Sequence, residues 1–167
     1  MAARVQVRKA VLMHQTHTPV LPLLERVATT APVAGGRLAA IESSASPGFM
    51  APLHAHAADE AVHVLEGSMT VYAGEEVVRL GAGETFVVRQ GVAHTYRTGP
   101  DGARSVFTTF ARSAGRYEDF LRAAGPLPAG APAWSDEDAA AVGAVAAAAD
   151  VTVFGPPGVL PADARTA

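Results

Sequence analysis

Residues 48–67 have the sequence GFMAPLHAHAADEAVHVLEG, and this stretch decides the interpretation of the whole chain. His54 and His56 are two positions apart, so in a β-strand both imidazoles point to the same face. The intervening residues allow a turn, after which Glu60 can return a carboxylate to the same point at the start of the next strand. The pattern therefore predicts a cluster of metal-binding side chains.

The residues that follow Glu60 alternate in polarity. Val62 and Val64 share the parity of Glu60, so we expect them to line the interior of a β-structure above and below it. His63 has the opposite parity and is expected on the outside.

A further candidate ligand, His94, lies much later in the sequence. It follows a turn at Gly91, and the next residue on its face of the strand is Tyr96. Three imidazoles and one carboxylate suit Fe, Ni, Mn, Co, Cu or Zn, and they leave metal positions open for water, substrate or dioxygen. We therefore expect one divalent transition metal per chain, with four ligands: His54, His56, Glu60 and His94.

Period-two alternation punctuated by glycine begins at Arg37 and predicts an all-β fold. The expected strands are 37–45, 61–66, 68–73, 76–80, 84–88, 93–98 and 104–111. Short strands at this spacing indicate an antiparallel sandwich or barrel, and parallel units are excluded because no helical segment lies between the strands.

The chain is expected to form one domain with three parts. Residues 1–36 form N-terminal strands or an extension, 37–112 the barrel core, and 113–167 a tail with short C-terminal helices packed on the barrel. Within that tail, 117–124 is predicted to be a short helix. Ser135 is a plausible N-cap for a second helix, because three acidic residues and an alanine run follow it.

The spacing of these residues resembles the two motifs of the cupin superfamily. The first is Gly48-x5-His54-x-His56-x3-Glu60-x6-Gly67, and the second is Gly83-x5-Arg89-x-Gly91-x2-His94-x3-Thr98. Two positions depart from the family pattern: Arg89 stands where proline is usual, and Thr98 where asparagine is frequent. The resemblance implies a jelly-roll β-barrel with metal ligands at the four residues named above.

Two weaker similarities suggest a subtype. Residues 107–121 and 151–157 resemble small bacterial monocupins similar to flavonol (quercetin) 2,3-dioxygenases. That resemblance implies a dioxygenase acting on an enolic, flavonol-like or polyketide-like small molecule, with dioxygen as a co-substrate. Glu60 would accept the substrate proton, and Tyr96 is the second catalytic candidate. The candidate pocket residues are Phe49, Met50, Val62, Tyr96 and Phe110.

Two other functions remain open at this stage. A non-oxidative metal-dependent isomerase, cyclase or decarboxylase would use the same Lewis acid and the same Glu60 without dioxygen. A small-molecule-binding or sensor protein would carry out no reaction and would not need open metal positions. Dioxygen uptake distinguishes the two enzymes, and absence of bound metal would favour the sensor.

The composition of the chain limits the classes of binding partner and the cellular compartment that we expect. The net charge is −3 and no block of Lys or Arg occurs, which argues against nucleic-acid and membrane partners. Cysteine is absent, so the metal ligands must be nitrogen and oxygen. With no signal-peptide or membrane-span pattern, we expect a cytoplasmic protein. Strand-like residues 4–11 could cover a sheet edge of a second copy, which predicts a homodimer.

Overall fold

A computed structural model of the protein describes residues 26–30, 38–110 and 136–165. The strands in these segments confirm the predicted all-β jelly roll. The elements are β1 Arg26–Thr30, β2 Leu38–Ala45, β3 Leu53–His56, β4 Asp59–Ala73, β5 Glu76–Gly81, β6 Thr85–Val88, β7 His94–Phe110, α1 Asp136–Ala148, β8 Val151–Gly155 and a 3₁₀ turn Asp163–Arg165. The helix expected after Ser135 is confirmed. The segments 4–11 and 117–124 lie outside the described residues.

Two long strands, β4 and β7, organise the sheet. β7 pairs with β2, β3 and β4, and β4 pairs with β5, β6 and β7, all antiparallel. The predicted strand breaks at Gly67 and at 99–102 are wrong, because β4 and β7 each continue through them. The pairing of the two strands persists past both points, and β-bulges near Gly67 absorb the irregularity.

The two long strands come close together at two glycines. Gly67 has φ 75° and Gly102 has φ 74°, a left-handed conformation that side chains rarely adopt. A Cβ atom added to Gly67 would collide with the carbonyl oxygen of Gly102. Glycine is therefore required here both by backbone conformation and by the space available.

The sheet folds back on itself around this point. Ala73 lies thirteen residues after Glu60 in β4, which in a straight strand would separate them by roughly 43 Å. His94 is the register partner of Ala73, yet its Nε2 atom lies 3.3 Å from Oε2 of Glu60. The bend and the bulges of β4 therefore bring the two ends of the β4–β7 ladder face to face across the interior.

The interior of the jelly roll is filled by alternating residues of the strands. Val62 is 1% exposed and Val64 is 0% exposed, which confirms the predicted parity. His63 points outward and its Nδ1 lies 2.7 Å from Oγ1 of Thr85. Burial of each valine contributes about 1.5–3 kcal/mol. The buried core cluster contains Ala51, Val62, Val64, Met69, Val71, Ala73, Leu80, Val88, Tyr96, Ala103 and Phe107.

The C-terminal part of the described chain adds a strand that the sequence analysis did not predict. β8 pairs with all four residues of β3, and α1 packs on β8 with Val142 and Ala146 buried. The alternation in Val151–Gly155 carried the signal, but a single short strand after an alanine-rich helix has no local partner to reveal it. No helix in the described parts of the chain has the length and apolarity needed to cross a bilayer.

The close approach of Gly67 to Gly102 predicts that two glycine-to-alanine variants differ in their free energy of unfolding. Gly83 has φ 86° with no atom within 4 Å of an added Cβ, so Gly83→Ala should lower the free energy of unfolding by roughly 1–2 kcal/mol from backbone strain alone. Gly67→Ala should cost at least about 2 kcal/mol more, because backbone atoms must also move. Urea unfolding of both variants measures this difference. Equal losses of unfolding free energy would show that Gly67 and Gly102 are not closely packed.

Candidate metal centre

Three histidines converge inside the jelly roll. His54 and His56 lie on the short strand β3, and His94 opens β7 as the register partner of His54. All three side chains are buried, and one potential ligand atom of each lies within 4.8 Å of the others. The two-residue spacing in β3 and the β3–β7 pairing are thus sufficient to gather the three imidazoles, which can hold a metal ion.

Backbone carbonyl groups orient two of these rings. Nδ1 of His54 lies 2.9 Å from the Pro52 oxygen, and Nδ1 of His94 lies 2.8 Å from the Val92 oxygen. A carbonyl oxygen only accepts, so each Nδ1 must carry the proton, and Nε2 presents its lone pair. Nε2 of His94 is buried without a hydrogen-bond partner among the described residues. Both rings are therefore held in the tautomer that binds a metal through Nε2.

Glu60 lies directly beside the imidazoles. Its Oε2 atom is 3.3 Å from Nε2 of His94 and 3.9 Å from Nε2 of His56. Burial alone would raise the pKa of Glu60, but the hydrogen bonds and positive charge that the His56 and His94 imidazoles offer when protonated outweigh it and hold that pKa well below its usual range. The side chain is therefore a carboxylate.

The contact between His94 and Glu60 tests whether a cation fits here. With the proton of His94 on Nδ1, both Nε2 and Oε2 are lone-pair atoms, and they repel at 3.3 Å unless a proton or cation lies near both. A divalent ion satisfies this set of donors, so the residues fit the expected metal.

The protonation state of His54 also suits a metal ligand. Burial, together with the nearby rings of His94 and His56, lowers the pKa of His54 from 6.5 to about 3. His54 is thus neutral at physiological pH, which is the form that coordinates metals. The role of Glu60 as a fourth ligand stays a prediction that its position supports.

Three of the predicted pocket residues, Phe49, Val62 and Tyr96, pack together in the interior. The Tyr96 ring is 4.9 Å from that of Phe107 and 6.4 Å from that of Phe49, measured between centroids, and Val62 belongs to the same buried cluster. Burial, and to a lesser extent the charge of Glu60, raises the pKa of Tyr96 above its usual value. Its phenol therefore stays protonated and can donate a hydrogen bond but not accept a proton.

The other two predicted pocket residues differ in what the structure shows. Met50 is buried, but its sulfur accepts a hydrogen bond of 3.4 Å from the guanidinium of Arg97. Phe110 ends β7, and its side chain lies outside the described part of the structure.

Asp59 is a site residue that the sequence analysis treated only as part of a turn. Its Oδ1 accepts a hydrogen bond of 2.8 Å from the backbone N–H of Gln90, and its Oδ2 accepts one of 3.2 Å from Arg89. These two groups, led by the Gln90 N–H, lower the pKa of Asp59. The next backbone N–H, of Gly91, donates to the carbonyl oxygen of His56. Asp59 thus fastens the loop before His94 to the segment that carries the other ligands.

The comparisons with known proteins match part of the chain to one protein family. Residues 43–109 match the family Cupin_2, described as the cupin domain. This segment contains all three histidines of the centre. No curated protein matches the chain.

Several solved structures are similar over parts of the chain. A variant of oxalate decarboxylase from Bacillus subtilis is 23% identical with a TM-score of 0.44, covering 46% of this chain and 22% of that one. The DMSP lyase DddQ from Ruegeria pomeroyi DSS-3 is 26% identical with a TM-score of 0.42, covering 45% and 39%. KdgF from Halomonas sp. is 20% identical with a TM-score of 0.44, covering 51% and 76%.

These likenesses do not identify an activity for this chain. The chain spans only 22% and 39% of the length of the decarboxylase and the lyase. Mn(II) centres are described for the Bacillus decarboxylase. None of the three structures is described as a flavonol dioxygenase, so that subtype stays a prediction.

The anchoring role of Asp59 predicts an effect on metal affinity. Asp59→Ala removes both hydrogen bonds that fix the loop before His94, so Zn²⁺ affinity should fall about 10–100-fold in chelator-competition titrations. Arg89→Ala should change affinity little, because the Arg89 side chain is 76% exposed. The matched control is Glu66→Ala, since this β4 carboxylate pairs with Arg104. Wild-type affinity in Asp59→Ala would rule out the anchoring role.

The lowered pKa of His54 predicts a pH dependence of stability in the metal-free protein. The unfolded chain binds a proton at His54 below pH 6.5, whereas the folded chain does so only near pH 3. The contribution of His54 to the free energy of unfolding is therefore fully present above pH 6.5. Below that pH it falls by about 1.4 kcal/mol per pH unit. The contribution of Glu60, whose pKa is lowered from 4.5, is lost only at lower pH.

Chemical unfolding at pH 5.0 and 7.0 measures this contribution. His54→Gln should reduce the loss of stability between the two pH values. His63→Gln should leave the loss unchanged, because His63 lies on the outer face. An undiminished loss in His54→Gln would contradict the assignment.

Proposed function

We propose that this chain, whose residues 43–109 match the cupin domain, is a metal-dependent enzyme that acts on a small molecule at the His54–His56–His94 centre. The observation that carries the proposal is the buried Glu60 carboxylate. It lies against the imidazoles, and one of its oxygens has no hydrogen-bond partner among the described residues. A purely structural metal site would not require a buried acceptor with unused capacity beside the ligands.

The chemistry of the site follows from these groups. A divalent ion held by His54, His56 and His94 would supply Lewis acidity, which lowers the pKa of a nearby substrate hydroxyl group. Glu60 is ionised, so it can accept the proton of that hydroxyl, and its position inside the core excludes bulk water. Tyr96 remains protonated, so it can donate a hydrogen bond to an oxygen of the substrate.

Within this proposal, the favoured reaction is dioxygenation of an enolic, flavonol-like or polyketide-like substrate. Removal of its proton by Glu60 makes such a substrate electron-rich and reactive toward dioxygen. The aromatic rings of Phe49, Tyr96 and Phe107 pack together in the interior, and Tyr96 lies within electrostatic reach of Glu60, which favours a flat, apolar ligand. The similarity of residues 107–121 to flavonol dioxygenases also favours a flavonol-like substrate.

Elemental analysis of protein purified without chelator is the first test. The protein is then loaded separately with Fe, Ni, Mn, Co, Cu and Zn, and dioxygen uptake is followed with quercetin as substrate. Stoichiometric uptake supports the dioxygenase. Turnover of an enolisable substrate without uptake supports a non-oxidative isomerase, cyclase or decarboxylase. A protein that stays metal-free after every loading would defeat the proposal.

Glu60 gives the sharpest prediction for the mechanism. Glu60→Gln keeps the size of the side chain and removes its basicity. It should retain much of the metal, which three imidazoles can hold, and lose about 10²–10⁴-fold in turnover. Metal content and turnover are measured on the same sample, with and without excess metal.

The control separates a base from a ligand. If Glu60 served only as a ligand, occupancy and activity of Glu60→Gln would fall together and excess metal would restore both. Glu66→Gln alters an exposed carboxylate on the same strand and should leave both quantities unchanged. Full activity of Glu60→Gln at full occupancy would exclude the base role.

A further inference from the structure

Thr109 carries a buried hydroxyl group that makes no hydrogen bond within the described parts of the chain. Its side chain is 2% exposed, and Oγ1 has no hydrogen-bond partner among the described residues. The other buried threonines behave differently: Thr95 donates to the Ala51 oxygen at 2.6 Å, and Thr98 donates to the Ser46 oxygen at 2.5 Å. Buried polar groups are normally satisfied, so the Thr109 hydroxyl calls for a ligand.

The strand register places this hydroxyl beside Glu60. Thr109 and Glu60 are direct partners in the β4–β7 ladder, and both side chains are buried on the same face. Cross-strand partners have Cβ atoms about 4.5–5.5 Å apart. Oε1 of Glu60 also lacks a hydrogen-bond partner in the described residues. Two unsatisfied oxygen atoms are therefore neighbours on one interior wall.

Their chemistry defines the ligand that would satisfy both. Oε1 of Glu60 is a buried carboxyl oxygen that can accept a hydrogen bond and has no partner among the described residues, whereas the Thr109 hydroxyl can donate one. A molecule with a hydroxyl next to a carbonyl meets both needs, because its O–H donates to Glu60 and its carbonyl oxygen accepts from Thr109. The neighbouring Oε2 atom, at 3.3 Å from His94, remains on the side of the metal ligands.

We infer that Glu60 and Thr109 form an oxygen-binding subsite for a small α-hydroxy-carbonyl or enol. The inference rests on the proposed function and extends it, since Thr109 would fix the substrate so that its acidic hydroxyl faces the base. Thr109 thereby determines specificity for ligands that carry a second oxygen beside the ionising one.

The first experiment measures thermal unfolding of the metal-free protein. Thr109→Val keeps the shape of the side chain and removes only the hydroxyl, so its melting temperature should equal or exceed that of wild type. Thr95→Val is the matched control, because it leaves the Ala51 oxygen unsatisfied and should melt about 2–4 °C lower. A loss in Thr109→Val as large as that in Thr95→Val would show a structural hydroxyl and overturn the inference.

The second experiment measures ligand binding to the Zn²⁺-loaded protein by calorimetry. The probe is kojic acid, a small enol with an adjacent carbonyl group. Thr109→Val should raise the Kd for kojic acid about tenfold, Thr109→Ser should stay within about twofold of wild type, and the Zn²⁺ affinity of all three should be equal. An unchanged Kd in Thr109→Val would mean that the hydroxyl holds only a buried water, and it would overturn the inference.

The two proposals fail in different ways. A wild-type protein that takes up no metal defeats the proposed function, while the melting experiment still decides whether the Thr109 hydroxyl is structural. A Zn²⁺-loaded wild type that does not bind kojic acid overturns the subsite and leaves the metal centre intact.

Discussion

The approach of the Glu60 carboxylate to the His94 imidazole is the constraint that the rest of the structure has to accommodate. The two residues belong to opposite ends of the β4–β7 ladder, so the sheet must fold back on itself to bring them together. The close backbone approach at Gly67 and Gly102, which lack side chains, allows the sheet to fold back. The contact is buried and combines lone pairs on both sides, so it is unfavourable without a proton or cation. The Glu60–His94 pair therefore depends on the folding of the sheet and also creates the site's need for a proton or cation.

Sequence alone predicted the parts of the site that depend on local geometry. The two-residue spacing of His54 and His56, and the parity of Val62 with Glu60, follow from the period of a β-strand. The all-β class follows from alternation and glycine spacing, and the helix at Asp136–Ala148 from its acidic start and alanine content. Convergence of His94 with the first two histidines was inferred from residue type and from the family resemblance, and the geometry supports it.

Other features depend on pairing between distant segments, which no local pattern reveals. The continuity of β4 and β7 through glycine-rich positions is decided by the ladder between them, so the turn signals misled the prediction. Asp59 and Thr109 acquire their roles only through partners about 31 and 49 residues away, at Gln90 and Glu60. An exposed-looking aspartate and a strand threonine are ordinary in sequence, and only the register distinguishes them.

The pairing of β3 with β8 governs when the centre can form during biosynthesis. β3 holds two of the three histidines, yet it pairs with β7 at a single residue pair and with β8 at four. Strand β8 ends at Gly155, so the chain must be synthesised nearly to that point before the strand carrying His54 and His56 has its main partner. Such a long-range closure is slow compared with the hairpin of β4 and β5. A metal ion held by these histidines would therefore bind late, after most of the chain has been synthesised, because the strand that carries His54 and His56 lacks its main partner until then.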